Sequence, residues 1–296
     1  MRAVQGKILL TGASGQVGGE LLRALSGLGE VVAPGRDTMD MADAESVRGV
    51  VRAVQPRWIV NPAAYTAVDK AESEPELAYA INRDAVRVLG EEAQRIGAGV
   101  IHFSTDYVFD GRGETAYLET DATEPVSVYG ASKLEGERAL AESGAAHAIF
   151  RTSWVFGGRG KNFLLTILKL AREREVLRVV GDQHGAPTWS RDLARMTAAV
   201  LGRVGVDDLQ ELGGVYHAAG AGDTTWCGFA AEGVRLMQEK EPGVKLARIE
   251  AIPTAEYPTP AKRPANSRLN CEKLAERLGW KMMDWRESVG EVVSEL

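Results

Sequence analysis

The feature that most constrains the fold is a set of three evenly spaced glycines between a predicted strand and a predicted helix. The apolar residues 8–10 are followed by Gly12, Gly15 and Gly18, and residues 19–25 have the pattern of a helix. A strand, a glycine loop and a helix in this order form the context that a dinucleotide fingerprint requires. Gly12 permits a tight turn, Gly15 lets the backbone approach a pyrophosphate, and Gly18 lets the helix pack on the strand. We therefore predict a dinucleotide site rather than a βα turn without a ligand.

Strands and helices alternate through the first half of the chain. Strands are predicted at residues 30–34, 57–64, 98–106 and 151–157, and helices near residues 44–54 and 84–96. This alternation predicts an α/β fold of the Rossmann type, with a doubly wound parallel sheet whose ligand crevice lies beyond the carboxyl ends of the strands. Gly12, Ala64, Thr105 and Tyr129 all follow such ends. We therefore expect these four residues to line one crevice.

The end of the second predicted strand bears on the choice of cofactor. A site that prefers NAD places an acidic residue near this point, against the ribose 2′-hydroxyl. Here the strand ends in Gly35 and Arg36, and the guanidinium could pair with a 2′-phosphate. A solvated loop arginine is equally compatible with the sequence. Asp40 and Met41 follow, in a position to contact the adenine. We expect NADPH, with NADH as an alternative.

Tyr129 and Lys133 are four residues apart in a segment with a helical pattern, so they share one face of a helix. A phenol has an unperturbed pKa of about 10 and is a poor proton donor at neutral pH. A nearby ammonium favours the phenolate, so we expect Lys133 to lower the pKa of Tyr129 and prepare it as a general acid. By itself this spacing of tyrosine and lysine is common. It indicates a catalytic pair only in combination with the glycine loop upstream.

The second half of the chain has a less regular pattern. Helices are predicted near residues 162–174, 189–201 and 225–238, extended segments at 176–180 and 214–217, and loops at 181–188 and 257–267. No segment has the composition of a linker. We predict that residues 1–155 are mainly an NAD(P)-binding domain. Residues 156–296 are predicted to be mainly a smaller substrate-binding region, some of whose segments can return to the first domain.

The proline-rich loop at 257–267 carries Lys262 and Arg263 in a chain of net charge −6. A long loop in a compact protein is more often functional than idle. A guanidinium can hold phosphate oxygens bidentately, so Arg263 is a candidate to bind a phosphate group of a ligand. The alternative is that Arg263 caps a helix or pairs with an acidic neighbour.

Composition excludes several classes of protein. The net charge of −6 gives no reason to expect nucleic-acid binding, and no apolar run is long enough to cross a bilayer. Cys227 and Cys271 are too few for a disulfide framework, and neither they nor the four scattered histidines have metal-ligand spacing. We expect a cytoplasmic protein without a bound metal.

Three features together resemble the extended short-chain dehydrogenase/reductase superfamily: the glycine loop, a strand ending in Ser104-Thr105-Asp106, and the Tyr129/Lys133 pair. Longer strings are similar to the dTDP-4-dehydrorhamnose reductase family and cover nearly the whole chain. They lie at residues 61–72, 104–111, 150–155, 182–188 and 263–269.

This resemblance implies reduction of the C4 ketone of dTDP-4-dehydro-β-L-rhamnose, with NADPH or NADH as cofactor. It implies that Thr105, Tyr129 and Lys133 are catalytic. The cofactor contacts it implies are Gly12, Gly15, Gln16, Val17, Asp40, Met41, Ala64, Tyr65, Thr66 and Phe103, besides Tyr129 and Lys133, with Arg36 added from its position. The substrate contacts are Val68, Thr105, Asp106 and Trp154, with Arg263 added for the diphosphate. Some family members dimerise through a magnesium ion held by glutamates, but no such glutamate can be assigned here, so we expect no metal, and a monomer or a homodimer.

Two other functions are compatible with the sequence. One is another nucleotide-sugar 4-ketoreductase or a 4-epimerase, and an epimerase would retain tightly bound NAD. The other is a non-catalytic, NADP-binding regulatory subunit of a methionine adenosyltransferase. The intact set of Thr105, Tyr129 and Lys133 argues against a lost activity.

Overall fold

A six-stranded parallel sheet organises the computed structural model, which describes residues 4–296. Its strands, from one edge to the other, are β2, β1, β3, β4, β5 and β10. Their bounds in that order are Glu30–Val32, Lys7–Leu10, Trp58–Asn61, Gly99–Thr105, His147–Thr152 and Gly214–His217. The chain reverses its direction of progress between β1 and β3, and ligand crevices in such sheets open above this point. The predicted α/β fold with a parallel doubly wound sheet is confirmed.

Helices cover both faces of the sheet because each buries an apolar stripe against it. The helices of the first half are α1 (Gln16–Leu25), α2 (Ala44–Val54), α3 (Val68–Ala71), α4 (Pro75–Tyr79), α5 (Ala85–Ile96) and α6 (Val128–Glu142). Those of the second half are α7 (Phe163–Glu173), α8 (Ser190–Leu201), α9 (Leu209–Leu212), α10 (Trp226–Lys240), α11 (Glu272–Leu278) and α12 (Trp285–Glu295). One core lies between the sheet, α1 and α8, and another lies between the sheet, α2 and α5.

A third core belongs to the second half of the chain, where α7, α10 and α12 pack around short strands. These strands are β6 (Val155–Phe156), β7 (Val176–Val180), β8 (His184–Gly185), β9 (Thr188–Trp189), β11 (Thr224–Thr225) and β12 (Arg248–Ile252). They pair two by two, β6 with β9, β7 with β12 and β8 with β11. Parts of the second half also belong to the fold of the first half, since β10 pairs with β5 in the large sheet and α8 packs on α1.

The sequence pattern located most elements closely and missed some. The extended segments at 176–180 and 214–217 are β7 and β10. The predicted strand at 151–157 is wrong in its bounds, because β5 ends at Thr152 and β6 is a separate two-residue strand. The loop expected at 181–188 contains β8 and the start of β9. The pairing partners of such short strands are remote in sequence, which is why the local pattern does not reveal them.

Candidate active site

The glycine loop has a backbone that only glycine can provide. Gly12 has φ +56°, and a Cβ there would lie 2.9 Å from the Ala63 Cα. A Cβ on Gly18 would lie 2.0 Å from the Gly12 carbonyl oxygen. The α1 helix begins at Gln16, directly after Gly15, so its free backbone N–H groups face the loop. This is the arrangement that binds a pyrophosphate, and the residues fit a dinucleotide.

Arg36 extends into solvent beside this loop. Its side chain is 81% exposed, and its Nε lies 4.0 Å from the Asp40 Oδ1. The Asp40 carboxylate in turn accepts a hydrogen bond from the Ala42 backbone N–H at 3.0 Å. Met41 is half-buried and packs against the core under α2. The loose ion pair leaves the Arg36 guanidinium available to a phosphate.

The segment after β3 is held in place by a buried asparagine that belongs to none of the predicted site residues. Asn82 lies in a π-helical turn, Ala80–Asp84, and its Oδ1 accepts from the Tyr65 backbone N–H at 2.8 Å. Its Nδ2 donates to the Tyr65 carbonyl at 3.1 Å and to the Ser132 Oγ at 3.0 Å. Ala64 and Tyr65 are half-buried, and Thr66 is exposed. Asn82 therefore fixes the predicted cofactor segment to α6.

Thr105 and Asp106 lie where β4 ends, and both are buried. The Thr105 hydroxyl donates to the Asp106 Oδ1 at 3.1 Å and accepts from the Tyr107 backbone N–H at 3.2 Å. The other carboxylate oxygen, Oδ2, is buried without a hydrogen-bond partner. Burial raises the pKa of Asp106 to about 6, against the lowering effect of the Ser267 and Thr105 hydroxyls. An unpaired buried oxygen of this kind is suited to accept a hydrogen bond from a ligand.

Tyr129 occupies the first turn of α6, which the Ser127 hydroxyl caps by accepting from the Gly130 N–H at 3.1 Å. The Tyr129 ring meets the Tyr107 ring edge to face, with centroids 5.5 Å apart. Loss of solvent raises the pKa of Tyr129 above its usual value, and the Asp106 charge adds to the rise while the Thr105 hydroxyl opposes it. Thr105, Asp106 and Tyr129 are thus brought together.

Lys133 does not act on Tyr129 as expected from the sequence. It lies one turn further along α6 and is 1% exposed, but its Nζ donates to the Phe103 carbonyl at 2.6 Å and lies 3.2 Å from the His102 Nε2. Burial lowers the pKa of Lys133 to about 8, and the Glu137 charge opposes this. The expectation that Lys133 lowers the pKa of Tyr129 is wrong for this structure, because burial affects both groups and the amine is directed at β4.

Trp154 follows β5 in a left-handed conformation with φ +47°, which is unusual for a residue with a large side chain. Its ring stacks on that of Trp226, with centroids 3.7 Å apart and planes inclined by 15°. Trp226 also lines a cavity of about 780 Å³ that lies between α7, β7 and β12. Arg263, Tyr257 and Gln183 line the same cavity. The predicted loops at 181–188 and 257–267 therefore meet at one pocket.

Arg263 is paired with a residue of the first half of the chain. Its Nη2 lies 2.8 Å from the Asp69 Oδ2, and its Nη1 donates to the Tyr107 hydroxyl at 3.2 Å. The Arg263 side chain is 27% exposed. This is the acidic pairing that the sequence left as an alternative, in a position that also borders the large cavity. Val68, the neighbour of Asp69, begins α3 and is half-buried.

Comparison with known proteins assigns the chain to a family. Residues 6–296 match the family described as RmlD substrate binding domain. The dTDP-4-dehydrorhamnose reductase of Burkholderia thailandensis is 49% identical over 295 residues, covering 98% of this chain and 99% of that protein. The enzyme of the same name from Escherichia coli K12 is 48% identical, covering 98% and 97%. The chain belongs to the dTDP-4-dehydrorhamnose reductase family.

A solved structure of a dTDP-4-dehydrorhamnose reductase supports the same assignment. The structure of the Bacillus anthracis enzyme in complex with NADP superposes on this chain with a TM-score of 0.90 at 32% sequence identity. The superposition covers 100% of each of the two chains. Residues 4–296 of this family member contain no group of three or more histidine, cysteine, aspartate or glutamate side chains that could hold a metal ion. In the same range, no helix has both the length and the apolar character needed to span a bilayer.

Three buried polar residues near the site of this reductase were missed from the sequence: Asn61, Asn82 and His102. Asn61 is the one polar residue of β3, and His102 lies in the apolar part of β4, before Ser104 and Thr105. A polar residue within an apolar run is the signal that could have singled them out. Asn82 gives no such signal, because its role depends on contacts with residues far away in the chain.

Proposed function

We propose that this protein reduces the C4 ketone of dTDP-4-dehydro-β-L-rhamnose to dTDP-β-L-rhamnose, with NADPH as reductant and with Thr105, Tyr129 and Lys133 as catalytic residues. It is an oxidoreductase of the dTDP-rhamnose biosynthetic route. The observation that carries the residue assignment is the cluster of Thr105, Asp106 and Tyr129 at the end of β4, two strands from the glycine loop.

The protein residues supply polarisation and a proton. NADPH, when bound by the glycine loop, supplies the hydride that reduces the ketone carbon. The Thr105 hydroxyl donates to the Asp106 Oδ1, and it would turn this single proton to the ketone oxygen, where negative charge develops. The raised pKa of Tyr129 keeps the phenol protonated at neutral pH. The phenol can then give its proton to the developing alkoxide, a much stronger base than a phenolate.

Asp106 is proposed to orient the sugar. Its Oδ2 is buried and without a partner, so a sugar hydroxyl that donates to it would satisfy a group now left unpaired. The adjacent Thr105 hydroxyl already occupies Oδ1. The same carboxylate would therefore hold the Thr105 hydroxyl until the ketone accepts its proton, and it would align the sugar through Oδ2.

The large cavity is proposed to take the dTDP part of the substrate. Its walls include the apolar side chains of Phe163, Ile167 and Trp226, which suit a flat base, and Arg263 at its border suits the diphosphate. Trp154 would pack near the keto sugar, with Val68 close by. On this proposal residues 1–155 mainly bind NADPH and residues 156–296 mainly bind the substrate. Cytoplasmic action as a monomer or a homodimer is part of the same proposal.

The direct test is oxidation of NADPH by the purified protein, followed at 340 nm (the reduced nicotinamide band), with dTDP-4-dehydro-β-L-rhamnose as substrate. dTDP-glucose, which has no ketone, is the control. We expect ketone-dependent oxidation and formation of dTDP-β-L-rhamnose. Oxidation without that product would indicate another 4-ketoreductase, and no oxidation would contradict the proposal.

A further inference from the structure

Buried polar side chains form a continuous chain from the glycine loop to Lys133. Thr11 follows β1, Asn61 ends β3 and His102 lies within β4, so the chain crosses three strands near their carboxyl ends. Asn61 and His102 have no exposed surface, Thr11 is 2% exposed, and Lys133 is 1% exposed. The last link joins the His102 Nε2 to the Lys133 Nζ, 3.2 Å apart. Of these residues, only Lys133 is among the catalytic residues proposed above.

The orientation of the Asn61 amide assigns a position to each proton along the chain. The Ala63 backbone N–H donates to the Thr11 Oγ1 at 3.3 Å, and the Thr11 hydroxyl donates to the Asn61 Oδ1 at 2.5 Å. The Asn61 amide therefore turns its Nδ2 towards the His102 Nδ1, 3.0 Å away. Because Nδ1 accepts this bond, the single proton of the neutral imidazole is on Nε2. An N–H donor thus faces the Lys133 amine.

An ammonium group has three donors and no acceptor, so it cannot accept a hydrogen bond from this imidazole N–H. A neutral amine can accept it and still donate to the Phe103 carbonyl at 2.6 Å. We propose that Thr11, Asn61 and His102 are positioning residues that favour the neutral amine of Lys133 in the free protein at pH 8, and that NADPH binding returns its charge. The inference rests on the proposed function, because it requires NADPH to bind beside Lys133.

The charges around Lys133 are consistent with a shift between its neutral amine and its ammonium form. Burial lowers the pKa of His102 well below its usual range, so the imidazole is neutral, and it lowers the pKa of Lys133 to about 8, so about half of the amine is neutral at pH 8. Glu137, one turn along α6, favours the ammonium, but its carboxylate is already paired with Arg151 of β5 at 2.7 Å. His147, at the start of β5, further disfavours a charge on His102. Anionic NADPH would tip the balance towards the ammonium.

Proton uptake on cofactor binding tests the proposal without a turnover assay. Isothermal titration calorimetry with NADPH at pH 8, in two buffers of different ionisation enthalpy, gives the number of protons taken up. A lysine with a pKa of about 8 or lower in the free protein should take up roughly 0.5–1 proton per NADPH bound. NADPH binding without proton uptake would overturn the proposal, whereas no NADPH binding would contradict the proposed function itself.

Two variants are designed to place a hydrogen-bond acceptor, instead of the imidazole N–H donor, opposite Lys133. Asn61→Asp should accept from the His102 Nδ1, which moves the imidazole proton to Nδ1 and leaves Nε2 to accept from an ammonium. His102→Gln can likewise turn its amide oxygen towards Lys133. In both variants Lys133 should already be charged in the free protein, so proton uptake at pH 8 should fall towards zero.

His217→Gln is the matched control, since His217 is an equally buried strand histidine on β10. Its proton uptake should equal that of the unchanged protein. Thermal unfolding shows which variants are folded. If His102→Gln does not fold, Asn61→Asp still provides the test, because it keeps the size of the side chain. Unchanged uptake in a folded Asn61→Asp variant that binds NADPH would overturn the assigned role of the chain.

Discussion

Tyr129 and Lys133 share one face of α6, but their side chains meet different partners. The phenol is beside Thr105 and Asp106, where loss of solvent raises its pKa. The amine is directed into the sheet, where it contacts His102 and the Phe103 carbonyl. At the scale of single residues, the proton chemistry of this site is therefore set by what surrounds each group rather than by the spacing of the pair.

Replacing Tyr129 with phenylalanine should remove the proton donor and leave the ring in place. We expect turnover in Tyr129→Phe to fall by about 10²–10⁴-fold, the contribution of a positioned acid. NADPH affinity, measured by the change in its fluorescence on binding, should be nearly unchanged. Turnover close to that of the unchanged protein would mean that another group delivers the proton.

Arg36 is the residue expected to recognise the 2′-phosphate of NADPH. In Arg36→Ala we expect the Michaelis constant for NADPH to rise, with a loss of about 1.5–3 kcal/mol for a hydrogen bond to a charged group. The constant for NADH should change little. Arg138→Ala, which removes an exposed arginine paired with Glu135 on the outer side of α6, is the control. If Arg36→Ala changed the Michaelis constants of the two cofactors equally, Arg36 would not contact the 2′-phosphate and would be only a solvated surface residue.

At the scale of elements, α2 and α5 are joined by a carboxylate in an unusual position. Glu92 on α5 is 2% exposed and accepts hydrogen bonds from Arg48 and Arg52 of α2 at 2.8 Å each. Arg95, on its own helix, donates to it at 2.8 Å. Arg52, Arg95 and Arg48 together lower the pKa of Glu92 to about 2, although burial opposes them. These contacts fix the two helices that cover one face of the sheet.

This arrangement predicts a pH-dependent stability. The unfolded pKa of a glutamate, about 4.3, exceeds the folded value of about 2, so the stabilisation is complete above about pH 5 and is lost as the pH falls through 2. Glu92→Gln should lower the free energy of unfolding at pH 7 by about 1.5–3 kcal/mol and flatten its decline in acid. Denaturant unfolding curves recorded at several values between about pH 3 and pH 7 measure this pH dependence of the free energy of unfolding.

Glu45→Gln provides the comparison, because Glu45 pairs with the same Arg48 but is 80% exposed. Exposed pairs contribute little, so its effect should be below about 1 kcal/mol. If Glu45→Gln and Glu92→Gln were to change stability equally, burial of Glu92 would not be the cause.

At the scale of the whole molecule, the two halves of the chain meet through side chains that also border the proposed substrate pocket. Arg263, in the loop between β12 and α11, pairs with Asp69 on α3. Asp69 also accepts from the Ala261 backbone N–H at 3.2 Å. The same loop is tied to β8, since the His184 backbone N–H donates to the Ala265 carbonyl at 2.8 Å. These contacts tie the loop to both halves of the chain.

Arg263→Lys keeps the charge and loses the planar fork, so it separates binding from structure. If Arg263 grips the diphosphate, the Michaelis constant for the dTDP-sugar should rise about tenfold or more while the melting temperature stays the same. Asp69→Asn is the control, because it weakens the ion pair and leaves the guanidinium in place. A lower melting temperature with an unchanged Michaelis constant in Arg263→Lys would make the residue structural.

The sequence by itself determined the parallel α/β fold, because glycine spacing and the alternation of apolar strands with helices are local patterns. It also indicated the reaction, through strings such as residues 104–111. Only the tertiary structure decided the partners of Lys133 and Arg263 and the role of Asn82. Those partners lie 30 to 194 residues away in the chain. Burial, which lowers the pKa of Lys133 and makes hydrogen bonds necessary for buried polar groups, arises only when distant segments pack together, so no local pattern encodes it.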